Sequence, residues 1–65
     1  MRKIEIFDHI KAQRMLNKVA KQKNLRFSFQ NTKTFFVVYL VDANGNIPLA
    51  LYRDKILKRA FLFLL

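Results

Sequence analysis

The sequence predicts a single small α+β domain, ordered α-β-β-β-α, in which two helices pack on one face of an antiparallel three-stranded sheet. Three observations predict it. Asp8 precedes a stripe of apolar residues at helical spacing, the middle of the chain masses alternating, β-branched and aromatic residues between turn formers, and Asp54 precedes a second amphipathic pattern. With 65 residues there is room for one domain, 1–65. A domain near this size buries only about 60% of the surface its unfolded chain exposes. Without cysteine there is no disulfide to reinforce it, which leaves self-association or partner binding.

Residues 2–7 alternate Ile4 and Ile6 with Lys3 and Glu5 and read as a short strand or extended lead-in. A helix is expected over 8–24, with the Asp8 carboxylate accepting orphan backbone N–H groups at its start. Ala12, Met15, Leu16, Val19 and Ala20 fall on one side of it, a core-facing stripe. Residues 25–30 alternate Leu25, Phe27 and Phe29 with Arg26, Ser28 and Gln30, the pattern of a half-buried strand. The polar turn 31–34 leads to a strand over 35–42, whose Phe-Phe-Val-Val-Tyr-Leu-Val run is the strongest strand signal in the chain. Asn44-Gly45 marks a hairpin turn, because both residues tolerate positive φ. The third strand is expected over 47–52, at an edge because Pro48 has no N–H to donate. Asp54 is placed to cap a last helix, 54–64, with Ile56, Leu57, Ala60, Phe61 and Leu64 on one side; over 60–65 the apolar run fits helix or strand.

Thirteen Lys/Arg against four Asp/Glu give a formal charge of +9, unevenly placed. Residues 1–26 hold eight of the cations and 53–65 hold four, while 27–52 are neutral. Lys11, Arg14, Lys18 and Lys21 are spaced to form one ridge along the first helix, opposite the apolar stripe. After Asp8 this helix has no acid to offset their repulsion, and unmixed positive charge is the electrostatic footprint of phosphate contact. Arg53, Lys55, Lys58 and Arg59 form a second basic group at the expected last helix, with Lys23 and Arg26 as supporting charge. If both helices share a face of the sheet, the two groups can join into one surface.

Apolar residues exceed what one core needs. Both sides of the 35–41 strand are apolar, and a sheet with one helical layer needs only one such face. Phe36, Val38 and Leu40, with Leu62, Phe63 and Leu65, are therefore the expected dimer or partner contacts. The surplus could be covered by the lead-in and C-terminal tail, by a second copy, or by another macromolecule. In one variant Phe27, Phe29, Phe36 or Tyr39 stacks nucleobases, as aromatic residues on sheets do for single strands.

The chain carries no phosphate-binding glycine motif, no Cys and no cluster of metal-ligating residue types, so neither catalysis nor a cofactor is expected. Its one histidine, His9, reads as a solvated or capping residue. The longest apolar runs, 35–41 and 60–65, are far short of the roughly 20 residues of a membrane-spanning helix. The first 24 residues hold charge throughout and no secretory-type apolar stretch, and a cytoplasmic protein is expected.

Lys55-Ile56-Leu57-Lys58 falls where the double-stranded RNA-binding domain shows a K-x-A-K pattern, and over residues 8–65 the expected element order resembles that family. The resemblance implies that Lys55 and Lys58 straddle RNA phosphates. The chain departs from the family in lacking its glycine-rich approach, reading Leu51-Tyr52-Arg53-Asp54 there, and in placing Leu57 and Phe61 where the family has alanines. The expected function is non-catalytic, largely sequence-independent nucleic-acid binding through Lys/Arg contacts to phosphates, structured RNA favoured over DNA. The alternative is a small phage or mobile-element type protein that binds and inhibits a host protein through its surplus apolar surface.

Overall fold

Asp8 separates the first strand from the only helix among the described residues. Its Oδ1 accepts the Lys11 backbone N–H at 3.0 Å, and α1 (His9–Lys23) follows a first strand, β1 (Arg2–Ile6). Asn24 ends the helix in the left-handed region (φ 55°, ψ 49°), which Asn tolerates better than most residues, and β2 (Arg26–Asn31) begins two residues on. The computed structural model describes residues 2–64, which continue as β3 (Phe35–Val41), β4 (Leu49–Asp54) and β5 (Arg59–Leu64). All pairings are antiparallel, in the order β1-β5-β4-β3-β2.

This corrects the expected α-β-β-β-α fold with three strands: the described residues form one helix and five strands. The expected helix over 54–64 is a turn and a strand. Asp54 does cap, but its Oδ1 accepts the Ile56 and Leu57 N–H groups, both at 2.9 Å, to close a turn over residues 55–58. Lys58 then takes φ 54° and sends the chain back beside β4. Beyond it, a run in which nearly every residue is apolar satisfies the helical and the strand period alike. The strand wins through its neighbours: β5 pairs with β4 on one side and with β1 on the other. The element order behind the resemblance to the double-stranded RNA-binding domain, with its basic last helix, is therefore not the one found.

The third strand begins at Leu49 rather than 47, so Pro48 stands outside it, and β4 is interior instead of an edge. The connection 42–48 is wider than a two-residue hairpin. Asp42 Oδ1 accepts the Asn44 and Asn46 N–H groups at 2.9 Å each, and Gly45 alone takes the positive φ, 83°.

Since β1 and β2 are opposite edges of the sheet, α1 must cross from one to the other. It does so over one face, placing Ala12, Leu16 and Ala20 against Leu40, Leu49, Leu51 and Leu62. Cross-strand register fixes what shares that face: Phe27, Leu40, Leu49 and Leu64 form one row, Phe29, Val38, Leu51, Leu62 and Ile4 the next, and Asn31, Phe36, Arg53, Ala60 and Ile6 the third. The helix starts near the end of β1 and finishes at the start of β2. Its diagonal leaves uncovered the corner above Phe29, Asn31, Phe36 and Arg53.

Candidate nucleic-acid interface

Helical geometry alone positions the first candidate surface. Lys11, Arg14, Lys18 and Lys21 are exposed on the side of α1 away from Ala12, Leu16 and Ala20. Ten residues at a rise of about 1.5 Å make the ridge about 15 Å long. Gln13 and Asn17 beside it are joined by a 3.2 Å hydrogen bond. Among the described residues there is one ion pair, Arg59 with Glu5, so the ridge has no acidic partner in the fold.

The second basic group lies on no helix. Arg53 ends β4, Lys55 and Lys58 sit in the turn, and Arg59 opens β5. The sheet topology brings this turn, the turn between β2 and β3 and the start of α1 to the same end of the molecule. There His9, Asn31, Phe36, Arg53, Lys55 and Lys58 line a hollow of about 510 Å³. Its basic residues have different tasks. Lys55 Nζ donates to Thr32 O at 2.7 Å and to Asn31 Oδ1, and its backbone N–H donates to Thr34 O at 2.9 Å, so Lys55 fastens the two turns together. Arg59 is engaged too, holding Glu5 through both oxygens (Nη2 to Oε1 2.6 Å, Nε to Oε2 3.0 Å). That hydrogen-bonded pair keeps the Glu5 carboxyl below the usual carboxylate range and raises Arg59. Arg53 and Lys58 are exposed without such partners among the described residues. His9 lines the hollow, and Lys11, two residues on, begins the ridge on the other side of α1.

The expected apolar contacts fall differently. Val38, Leu40 and Leu62 are 2%, 0% and 3% exposed, sealed beneath the helix, and cannot meet a partner in the folded chain. Phe36 is on the same face but lies in the uncovered corner, walling the hollow. Leu65 lies outside the described residues. The free sheet face carries the opposite parity: Phe35, Val37, Tyr39 and Val41 of β3, Ala50 and Tyr52 of β4, and Phe61 and Phe63 of β5. Of the expected contacts among the described residues, Phe63 alone belongs to it. Its rings pack on one another, Phe35 with Tyr52 (centroids 5.5 Å) and Tyr52 with Phe63 (6.4 Å), around a shallow groove of about 460 Å³. At one margin Lys3 Nζ lies 4.4 Å and the Arg59 guanidinium 5.2 Å from the centre of the Phe61 ring.

On the helix side, Phe27 and Phe29 are 40% and 64% exposed on the edge strand β2. Their rings are near parallel, 6.3 Å apart, and Phe29 is 6.2 Å from Phe36, so three rings lead along the sheet to the hollow. Sequence reasoning did not offer Phe35, Tyr52 or Phe61 as contacts; all three are half-buried on this face, and the parity of residues 59–64 read as a strand is the signal that places Phe61 there. Among the described residues no helix is long and apolar enough to cross a membrane. Comparison with models of known protein families, with curated proteins and with solved structures finds no match for this chain.

Proposed function

We propose that this protein is a non-catalytic nucleic-acid-binding module that holds phosphates through Lys11, Arg14, Lys18 and Lys21, continued by Arg53 and Lys58, with structured RNA as the favoured ligand. The observation that carries this reading is the ridge of four cations on an exposed helix face, none of which makes an ion pair among the described residues. About 15 Å of helix spans roughly four base steps of a duplex at about 3.4 Å of axial rise each. Each phosphate neutralised releases condensed counterions, so affinity for a duplex falls steeply with salt. Fluorescence anisotropy with a labelled 16-base-pair RNA, titrated from low to high salt, tests it. Binding that is absent, or indifferent to salt, would rule the reading out.

A second reading rests on the free sheet face, whose Phe35, Tyr39, Tyr52 and Phe63 form an apolar groove. These side chains are half-buried, and the apolar surface they leave open between them is of the kind that marks contact with another protein. Here it supports a second copy of this chain or a host protein as the partner, and Tyr52→Ser is the variant that tests it by sedimentation.

A further inference from the structure

Phe36 belongs to two features at once. It is the third ring of the Phe27, Phe29, Phe36 row and a wall of the basic hollow. We infer that this corner of the helix side is a single-strand site, in which unstacked bases lie on Phe27, Phe29 and Phe36 while Arg53 and Lys58 hold the adjoining phosphates in the hollow. The inference rests on the nucleic-acid reading above; it names a second ligand form and adds the row of rings to Arg53 and Lys58.

Geometry favours a single strand over a duplex. The rings are 6.3 and 6.2 Å apart, nearly twice the roughly 3.4 Å advance per nucleotide of a duplex strand. Bases set down at that spacing are unstacked from one another, as they are when splayed on an aromatic platform. Exposure agrees, since Phe29 presents nearly two thirds of its surface to solvent. β2 pairs with β3 on one side only, and an edge strand with an open side and two exposed rings is a template for association. Charge complementarity selects the occupant. The row runs into a hollow whose free side-chain charges, Arg53 and Lys58, are positive, and its one carboxylate, Asp54, is engaged in accepting two backbone N–H groups. Asn31 and His9 add hydrogen-bonding groups that tolerate any base. A second copy of a +9 chain would bring the same cations against this hollow.

The test uses the full chain and two labelled probes, an eight-nucleotide oligouridine and a 16-base-pair RNA duplex, read by anisotropy. Base stacking on an aromatic side chain is lost in Phe29→Ala, so oligouridine affinity falls about 5- to 150-fold, while duplex affinity stays within about twofold. Phe29→Leu, which keeps the apolar volume, shows the same loss, and Phe29→Tyr restores binding. Arg53→Ala combined with Lys58→Asn, chosen because Asn accepts the φ of 54° at that position, lowers oligouridine affinity and its salt slope together. Lys18→Gln with Lys21→Gln weakens the duplex probe.

Wild-type affinity for oligouridine in Phe29→Ala or in Phe29→Leu overturns the single-strand site, even if the duplex still depends on the ridge. A change of sedimenting mass in Phe29→Ala without a change in oligouridine binding also overturns it, by assigning the row to self-association. Failure of the wild-type protein to bind either probe removes the nucleic-acid reading itself, so the two failures are distinct. Circular dichroism melts of each variant confirm folding. Phe29 is exposed, so its substitution leaves the fold intact.

Discussion

Replacing Lys18 and Lys21 by glutamine removes two of the four ridge charges and keeps two good helix formers on an exposed face. For a duplex, the slope of log affinity against log salt is about −0.9 per phosphate neutralised. Four ridge contacts therefore predict a slope near −3.6 from the helix alone, and the double variant is expected to shift it by about +1.8. In affinity terms, a fourfold rise in salt from 50 to 200 mM weakens a four-contact ridge about 150-fold and a two-contact ridge about 12-fold. The assay is anisotropy on a 16-base-pair duplex at five or more salt concentrations, wild type and variant side by side. Neither lysine makes an ion pair among the described residues, so the variant is not expected to lose stability by removing one. Relief of like-charge repulsion and loss of the Lys21 charge from the last helical turn are each worth roughly a few tenths of a kcal/mol and oppose one another. An unchanged slope in a folded variant would refute the assignment of the ridge to phosphates, whatever the affinity.

Leu16 is fully buried where α1 crosses the sheet, and Leu16→Ala is expected to cost about 3–5 kcal/mol in urea unfolding, enough to leave a domain this small partly unfolded. Lys58→Gly relieves a left-handed residue at the turn into β5 and is expected to stabilise by about 1 kcal/mol, raising the melting temperature by about 4–8 °C. Glu5 is held below the ordinary carboxylate range by Arg59, so the pair contributes stability that is fully present above an unfolded value of about 4.3 and is lost as pH falls through the lower folded value. Thermal melts of wild type and Glu5→Gln should therefore differ at pH 6 and converge in acid, and a gap that persists into strong acid would contradict that linkage.

The helix was legible because everything that specifies it is local. The Asp8 cap, the stripe from Ala12 to Ala20 and the cations opposite them all follow from 3.6 residues per turn. The β2 and β3 strands were legible for the same reason, through alternation and β-branched massing. What could not be read locally was β5. An Asp that caps the first turn of a helix and an Asp that caps a four-residue turn accept the same N–H groups, so Asp54 looked alike in both roles. The distinction came one turn later, at Lys58, whose positive φ no composition signals. Which side of β3 would be covered was equally hidden, because both sides are apolar and only the path of α1 puts Leu40 rather than Val41 in the core beneath it. The hollow depends on three connections meeting at one end of the sheet, a property of topology.

The pairing of β1 with β5 also governs the order in which the chain can fold. Partners such as Ile6 and Ala60, or Arg2 and Leu64, are almost a chain length apart, whereas β2, β3 and β4 form a meander of neighbours. Closing so long a loop costs entropy before any contact offsets it, and distant pairings slow folding. Because Leu62 belongs to the core beneath α1, the helix cannot complete its packing until β5 arrives.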